Sequence, residues 1–481
     1  MMSEDPIDYA ALARQSIVML PTSGDEDPAS EHLTDQGNAE RLARMHGADM
    51  RYCWPWARWL VWDGRRFALD DTGAVYRLAK EVVRAVYAEA QASDDEDRRK
   101  SLAKHALRSE SVQRIGGMLA LAQSEPGVPI RPREMDTHPW LFNVQNGTLD
   151  LRTGKLRPHD RRDLLTKCAP VAYDPDAACP TWDAFLARIM DGDLEMVGFL
   201  RRIAGYTLTG DTRDQSVFVL WGTGANGKST FLETLRTLWG EDYALQIRPE
   251  TLMIRNADHV PNDIARLRGA RLVSVRETEE GKRMAEALLK ELTGGDTISA
   301  RFMRGEYFDF KPEFKLFLAA NHKPVIQGTD YAIWRRIRLL PFTVTIGPAE
   351  QDATLPAKLR TELPGILSWA VRGCLEWQRD GLEPPGAVTE ATAAYRAESD
   401  TLAAFLAECT EQDPNAKTQA GPLYRAYASW CEANGERAIT NTLFGRRMVE
   451  RGCDKYKDRT RTAFYLGLRL LVDGESEGSC R

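Results

Sequence analysis

Apolar residues recur at the spacings of strands and helices along most of the chain. Residues 216–221, SVFVLW, form a β-branched and aromatic run that is typical of a buried strand. Residues 231–239, FLETLRTLW, are apolar at helical spacing. Between them lies GTGANGKST, with three glycines and no large apolar side chain. The pattern therefore predicts a strand, a glycine loop and a helix.

The pattern after this loop predicts more strands and helices. The apolar runs in ARLVSVRETEEG, KLFLAAN and IRLLPF predict strands, and KRMAEALLKELTGG predicts a helix that Gly294 and Gly295 close. Residues 296–312, DTISARFMRGEYFDFKP, predict a hairpin with Met303 and Arg304 near its tip. Before the loop, Thr181 is the expected N-cap of the helix WDAFLARIM. Strands that alternate with helices indicate an α/β fold with a parallel sheet.

The N-terminal third reads as helical and is interrupted by a hairpin around Asp63 and Gly64. This hairpin belongs to a cluster of aromatic and basic residues. We expect the aromatics to form the core of a small domain, and the alternative is a surface on which nucleotide bases stack. The cluster consists of Trp54, Trp56, Trp59, Trp62, Arg65 and Arg66.

Turn signals and composition divide the chain further. Asn146-Gly147 and Thr153-Gly154 separate short strands of a β-rich connector. The last hundred residues follow the order helix, helix and hairpin, which is that of a winged helix. We therefore expect five parts: an acidic arm (1–36), an N-terminal α+β domain (37–135), a connector (136–178), an ATPase domain with a helical lid (179–380), and a linker with a winged helix (381–481).

Charge and composition exclude some classes of protein. The net charge of −6 over 481 residues argues against a uniformly basic nucleic-acid binder, although a local patch remains compatible with it. Such a patch lies between Arg446 and Arg461, which hold seven basic and three acidic residues. The scattered cysteines predict neither a zinc site nor a disulfide framework. No signal segment or long apolar run is visible, so we expect a cytoplasmic protein without membrane contact.

The glycine loop matches the phosphate-binding pattern G-x-x-x-x-G-K-[ST]. Glycines let backbone N–H groups face an anion at a helix N-terminus. Lys228 is expected to face solvent until it meets the β- and γ-phosphates of ATP, and the Ser229 hydroxyl is expected to ligate Mg²⁺. The predicted nucleotide-binding residues are Gly222, Thr223, Gly224, Ala225, Asn226, Gly227, Lys228, Ser229 and Thr230.

Polar residues after the next strands complete the candidate site. Glu277 and Glu279 follow a strand where acids hold magnesium and polarise the attacking water. Asn321 ends another strand and is able to orient that water or sense the γ-phosphate. Arg335 and Arg336 precede a strand, either as salt-bridge formers or as an arginine finger for a neighbouring subunit.

The order of GTGANGKST, LVSVRETEEG, LLKELTGGDTISARFMRGEY, LFLAAN and WRRIRLLPF resembles the superfamily 3 helicases, ring-forming members of the AAA+ class. The closer likeness is to the C-terminal half of phage and plasmid primase-helicases, because NVQNGTLDLRTGKLRPH resembles the small domain before their motor. The resemblance implies an AAA+ P-loop core, a winged helix and a ring, expected to be a hexamer, that moves 3′ to 5′ on DNA. It implies bacterial host cytoplasm as the location.

The resemblance also implies roles for single residues. It makes Glu277 a magnesium ligand, Asn321 the sensor and Arg336 the finger, with Arg335 as the first alternative. A departure is Arg276, which stands where the family has its first acid, so Glu279 is a second candidate for activating water. Single-stranded DNA is expected at the hairpin tip and a duplex or fork at the winged helix. The expected DNA-binding residues are Met303, Arg304, Arg446, Arg447, Lys455, Lys457 and Arg459.

The resemblance therefore predicts an ATP-dependent, ring-forming DNA helicase for phage, plasmid or prophage replication. A separate primase or polymerase is a candidate partner. Two alternatives stay open. One is a primase-helicase whose first 130 residues synthesise primers. The other is an origin-binding initiator that uses ATP only as a switch.

Overall fold

The computed structural model describes residues 32–254, 262–276, 282–301, 307–326, 328, 331–436 and 438–471. The chain divides into two units. The first unit holds Met1–Met135 and Arg161–Thr166, and the second holds Asp136–Asp160 and Lys167–Arg481. The chain consequently passes between the units three times, after residues 135, 160 and 166.

Among its described residues, from position 32 on, the first unit packs four helices with one antiparallel sheet of order β1-β2-β3. The hairpin predicted at Asp63-Gly64 is confirmed, because Trp62 lies opposite Phe67. The segment that returns at residues 161–166 adds to this sheet, since the Phe67 N–H donates to the Leu165 carbonyl at 2.8 Å. The elements are α1 (Asp35–His46), β1 (Met50–Cys53), β2 (Arg58–Trp62), β3 (Phe67–Leu69), α2 (Ala74–Ala92), α3 (Glu96–Ser109) and α4 (Val112–Ala122).

The aromatic cluster of this unit is split between core and surface. Trp59 and Trp62 are half-buried and pack against the apolar clusters of the unit, as expected for core residues. Trp54 and Trp56 are 55 % and 38 % exposed. The expectation that the whole cluster is core is therefore wrong for these two tryptophans. The tight turn that holds them leaves their side chains outside the sheet.

The second unit opens with the antiparallel sheet β4-β5-β6, formed by Leu141–Val144, Gly147–Asp150 and Lys155–Arg157. Both predicted turns are confirmed, because Val144 pairs with Gly147 and Asp150 pairs with Lys155. The Phe142 ring stacks on Tyr243 at 4.5 Å between centroids. This small sheet therefore shares a core with the helix that follows the glycine loop.

A five-stranded parallel sheet forms the centre of the second unit, in the order β13-β7-β12-β9-β8. The predicted α/β class with a parallel sheet is confirmed. Ala320 and Pro341 both lie opposite Trp221, so three strands end at one edge beside the glycine loop. The strands are β7 (Val217–Trp221), β8 (Ala244–Ile247), β9 (Leu272–Arg276), β12 (Lys315–Ala320) and β13 (Ile337–Pro341).

Helices and a hairpin surround this sheet. The predicted hairpin is present as β10 (Ile298–Arg301) and β11 (Tyr307–Phe310), and its tip with Met303 and Arg304 lies outside the described residues. Gly295, at φ 80°, closes α9 as predicted. The helices are α5 (Pro180–Ile189), α6 (Leu194–Leu208), α7 (Lys228–Tyr243), α8 (Asn262–Ala265), α9 (Glu286–Gly294), α10 (Tyr331–Trp334), α11 (Leu355–Thr361), α12 (Leu363–Asp380) and α13 (Gly386–Glu398).

The predicted N-cap Thr181 is wrong. Helix α5 begins two residues earlier than this cap implies, with Cys179 at the N-cap position, because Pro180 occupies its first turn, where a missing N–H costs nothing. The Glu362 carboxylate instead accepts the N–H groups of Thr181 and Trp182, each at 3.0 Å. A residue 181 positions away therefore caps the helix and ties it to the helical segment α11–α12.

The C-terminal part of the second unit contains the predicted order of helix, helix and hairpin in α15, α16 and β15–β16. Strand β14 joins them in a sheet of order β14-β16-β15 and was not predicted. Cys409 is disulfide-bonded, whereas the sequence predicted no disulfide framework. The elements are α14 (Thr401–Cys409), β14 (Thr410–Gln419), α15 (Ala420–Ala433), α16 (Asn441–Glu450), β15 (Lys455–Lys457) and β16 (Ala463–Leu470).

Within the described residues, no helix combines the length and the apolar character that a membrane crossing requires.

Candidate active site

The glycine loop lies between β7 and α7, as the sequence predicts. Gly227 adopts φ 84° directly before α7, and a Cβ there would lie 2.5 Å from Ile189 Cγ2. A Cβ at Gly222 would lie 2.2 Å from the Phe342 carbonyl oxygen. Both positions therefore require glycine, one for backbone conformation and packing and the other for packing alone.

Lys228 does not face solvent, which corrects the expectation from the sequence. Its side chain is 5 % exposed and folds back over the loop. Nζ donates to the Gly222 carbonyl at 2.6 Å, to Asn226 Oδ1 at 2.9 Å and to Asn321 Oδ1 at 3.3 Å. Burial lowers the pKa of the Lys228 ammonium. These three acceptors offset part of the cost of burying the charge.

Asn226 of the glycine loop and Asn321, which follows β12, hold the lysine in place. Asn226 Nδ2 donates to the Phe342 carbonyl at 3.1 Å, which connects the loop to the residue after β13. Asn321 follows β12, which pairs with β7 in register, so its amide reaches the loop. The structure thus brings the predicted Lys228 and Asn321 together. Asn226 was predicted only as a loop residue, and its role as a bridge depends on tertiary contacts that the sequence does not reveal.

Arg276 ends β9 where the resemblance leads one to expect an acid. Its guanidinium pairs with the Glu233 carboxylate of α7, and Glu233 also pairs with Arg236 at 3.1 Å. Glu233 is four residues after Ser229, so both lie on one face of α7. This four-residue spacing is visible in the sequence, but Glu233 was not among the predicted site residues. Glu277 and Glu279 lie outside the described residues.

A cavity of about 380 Å³ opens beside Ser229 between α7 and the segment α11–α12. Three of its lining residues are cations and one is an acid, namely Arg236, Arg276, Arg360 and Glu233. Within the described ranges, the Nε atoms of Arg236 and Arg276 are buried and have no hydrogen-bond partner. Unsatisfied donors and excess positive charge next to a glycine loop fit a phosphorylated ligand. The residues present therefore fit a nucleotide.

Arg335 and Arg336 lie at the start of β13 and differ in exposure. Arg336 is 7 % exposed, and its Nε donates to Thr293 Oγ1 at 3.1 Å. Arg335 is exposed and its guanidinium bonds the Gln215 amide oxygen. The Val217 N–H at the start of β7 donates to the Arg336 carbonyl at 2.7 Å. Both arginines therefore lie at the edge of the sheet opposite to the glycine loop.

A groove of about 630 Å³ adjoins the exposed arginine. It runs between α10, the start of β13, and helices α13 and α14. Arg335, Arg338 and Arg396 contribute three positive charges to its wall, and Asp400 contributes a negative one. Burial lowers the pKa of the Arg338 guanidinium. The groove thus carries net positive charge far from the loop of its own chain.

The C-terminal basic residues also differ in exposure. Arg446, Lys455, Lys457 and Arg459 are exposed, in agreement with a surface role. Arg447 is 6 % exposed, because Phe444, Arg447 and Met448 form the buried face of α16. Of the two arginines predicted on this helix, only Arg446 is presented to solvent.

Three family models match parts of the chain. Residues 39–191 match a family described as D5 N terminal like, and residues 397–462 match a family described as poxvirus D5 protein-like. Residues 220–336, which include the glycine loop and both arginines, match a family of unknown function.

Similar proteins come from large DNA viruses. "Putative helicase L207/L206" of Acanthamoeba polyphaga mimivirus is 27 % identical over 67 % of this chain and 36 % of its own length. "Putative helicase 022R" of Frog virus 3 is 31 % identical over 60 % of this chain and 30 % of its own length. "Putative primase C962R" of African swine fever virus is 24 % identical over 62 % of this chain and 34 % of its own length. The aligned region thus spans about a third of each of these relatives.

Among solved structures, the apo NrS-1 C terminal region (305–718) is similar, with a TM-score of 0.47 and 9 % identity over 93 % of this chain and 100 % of that one. The chain thus carries regions similar to the D5 N-terminal and poxvirus D5 domains, and the similar viral proteins are named putative helicases and primases.

Proposed function

We propose that this chain is the ATP-driven motor of a ring-forming DNA helicase that serves viral, phage or plasmid replication. The observation that carries the proposal is the meeting of Lys228 with Asn321 over the glycine loop. A lysine from the loop and an asparagine from a neighbouring strand are the two groups that a nucleotide-hydrolysing site needs next to a γ-phosphate. The names of the relatives suggest DNA as the substrate.

The strand order supports an AAA+ core with a P-loop. The loop strand β7 lies between β13 and β12, and β9 lies beyond β12. Acids that follow β9 and the amide that follows β12 would then reach the loop along one edge. The order of α15, α16 and β15–β16 supports a winged helix that presents Arg446, Lys455, Lys457 and Arg459 to a duplex.

ATP with Mg²⁺ would supply the phosphoanhydride bond whose hydrolysis drives the motor. Nucleotide entry requires Nζ of Lys228 to exchange the Gly222 carbonyl for phosphate oxygens. Ser229 and Glu277 would hold the metal, and Glu277 or Glu279 would accept a proton from the attacking water. Asn321 would orient that water once the lysine no longer occupies its amide oxygen.

The finger that completes the site would come from a neighbouring subunit, because both candidates lie at the opposite edge of the sheet from their own loop. The resemblance assigns this role to Arg336, but its side chain is buried against Thr293. The exposed Arg335 is the better candidate. A ring, expected to have six subunits, places each Arg335 beside the loop of the next copy.

The test compares ATP turnover with unwinding of a forked duplex by the purified chain. The proposal requires strand displacement that depends on hydrolysis and a ring of particles in electron micrographs with a non-hydrolysable nucleotide. Slow turnover without strand displacement would favour an ATP-switched origin-binding initiator instead. Primer synthesis in the same preparation would favour the primase-helicase alternative and would assign it to the first unit.

A further inference from the structure

The turn between β1 and β2 presents two tryptophans to solvent. We call residues 54–58, Trp-Pro-Trp-Ala-Arg, the tryptophan turn. Trp54 is 55 % exposed and Trp56 is 38 % exposed, although large aromatic side chains usually contribute to cores. Exposed aromatic groups of this size mark surfaces that bind something. The proposed ATPase and winged-helix surfaces do not use this turn, since they lie in the second unit.

The tryptophan turn is held in one conformation. Residues 54–56 form a 3₁₀ turn in which Pro55 fixes one backbone angle. Ala57 adopts φ 49°, and its N–H donates to the Trp54 carbonyl at 3.0 Å. The Tyr52 ring meets the Trp54 ring edge to face at 5.0 Å between centroids. The indoles are therefore displayed on a preorganised backbone, which lowers the entropy cost of binding.

Arginines flank the turn on both sides. Arg58 lies opposite Cys53 in the β1–β2 pair. On the other edge, the Ile130 N–H donates to the Tyr52 carbonyl at 2.9 Å and Pro129 pairs in parallel with Tyr52. This pairing places Pro129, two residues before Arg131, opposite Tyr52, two residues before Trp54.

Arg58 and Arg131 are exposed, and so is Arg133 two residues further on. Among the described residues, none of these three guanidinium groups forms an ion pair. Arg66 and Arg114 of the same unit, in contrast, pair with Asp63 and Asp35. The turn thus combines rigid aromatic faces with three guanidinium groups that form no ion pair among the described residues, and the Glu134 carboxylate nearby accepts the backbone N–H of Arg131 at 2.7 Å.

We propose that the tryptophan turn, with Arg58 and Arg131, is a binding site for single-stranded DNA. Unpaired bases would stack on Trp54 and Trp56, and the two guanidinium groups would contact the phosphates between them. A duplex cannot offer base faces to an indole without unstacking, so the site selects single strands. The choice of DNA rests on the proposed function, whereas the exposed indoles and unpaired arginines are independent of it.

The test measures binding of fluorescein-labelled oligo(dT) to the whole chain without nucleotide, by anisotropy at several salt concentrations. Trp54→Ala with Trp56→Ala should weaken binding about tenfold or more and leave the salt slope unchanged. Arg58→Ala with Arg131→Ala should also weaken binding and flatten the log-log slope by about 1.4, at about 0.7 for each phosphate contact on a single strand. The two double variants thus distinguish base stacking, whose loss changes the affinity alone, from phosphate contacts, whose loss also changes the salt slope.

Matched controls come from the same unit. Trp54→Phe with Trp56→Phe keeps aromatic faces and should retain part of the affinity, whereas Leu107→Ala and Arg84→Ala, on exposed helical positions, should change nothing. Unchanged oligo(dT) affinity in the Trp54→Ala, Trp56→Ala protein would overturn the proposal. If its mass by light scattering also falls, the turn is a contact between copies. Because no nucleotide is present, failure here leaves the ATPase proposal to its own assay.

Discussion

The two edges of the central sheet carry charge in different ways. At the edge beside the glycine loop, Lys228 is buried and satisfied by Gly222, Asn226 and Asn321 within 3.3 Å. At the opposite edge, Arg335 is exposed beside a groove of about 630 Å³. Strands of five residues separate these edges by about 16 Å, so the two groups cannot meet within one chain. The comparison teaches that one edge holds a buried cation with its acceptors and the other an exposed cation beside a groove, which supports the proposed division between a chain's own ligand and that of its neighbour.

The largest expected effect is at the loop edge. Lys228→Ala should lower ATP turnover at least about 100-fold, because no other group replaces an ammonium at the phosphates. The change also leaves the Gly222 carbonyl and two amide oxygens without a donor, so a loss of about 1–3 kcal/mol in the free energy of unfolding should accompany it. Turnover and thermal unfolding measure the two effects. Normal ATPase activity in a folded variant would contradict the assignment of the loop.

The next effect separates the two arginines at the other edge. Arg335→Ala should lower turnover about 10³-fold with an unchanged Tm, because its side chain is exposed. Arg336→Ala should instead lower the Tm, because it removes a buried side chain together with its hydrogen bonds to Thr293 and to the Ala332 carbonyl.

Mixing two inactive variants tests whether Arg335 acts on the site of a neighbouring subunit. Lys228→Ala protein keeps an intact arginine, and Arg335→Ala protein keeps an intact loop. Some interfaces of a mixed ring then combine both, so part of the ATPase activity should return. No recovery from folded subunits, or full activity of Arg335→Ala alone, would mean that Arg335 does not complete a neighbour's site.

A third effect concerns the exposed basic residues of the C-terminal part. Replacing Lys455, Lys457 and Arg459 by Ala should weaken duplex binding and reduce the salt slope by up to about 2.7, at about 0.9 for each phosphate contact. Arg469→Ala is a matched control, because that guanidinium is already paired with Glu411. Anisotropy with a labelled duplex measures both quantities. An unchanged slope would assign this surface to structure or to protein contact.

The smallest effect is a pH dependence at the loop. Burial lowers the pKa of Lys228 in the folded chain, so raising the pH releases its proton there before it does so in the unfolded chain. The unfolded chain then binds more protons, and the contribution of Lys228 to the free energy of unfolding rises with pH. Affinity for a fluorescent nucleotide should fall over the same range, below the ordinary lysine pKa of about 10.4. Lys228→Arg should remove this fall, since a guanidinium keeps its charge.

The local patterns in the sequence predicted most elements of the fold. The strand β7, the loop and helix α7 were visible because glycines interrupt two apolar runs of different period. The edge strand β14 was not, since its sequence TEQDPNAKTQ is polar and contains a proline. Its pairing with β16 shifts register between Gln412 and Lys417. A strand that forms by pairing with a neighbour, and whose own residues do not alternate between apolar and polar, is hard to predict from sequence.

The candidate site was predictable where residues are neighbours in sequence, and not where tertiary contacts decide. The pattern identified Lys228 and Asn321, and no pattern indicated that they share a hydrogen bond across 93 positions. The exposure of Arg335 and the burial of Arg336 likewise depend on where α9 places Thr293. Glu362, which caps a helix 181 positions away, could not be anticipated from local spacing.

The return of residues 161–166 to the first unit bears on how such proteins are assembled in evolution. A recombination event that joined a new N-terminal module at residue 136 would leave this hexapeptide behind. The Leu165 carbonyl would then lack the Phe67 N–H, and Arg161 would lack Asp49. The new N-terminal module would then have to provide equivalent hydrogen-bond and ion-pair partners for residues 161–166. The first unit therefore cannot be exchanged independently of the rest of the chain, and the two units are expected to be inherited together.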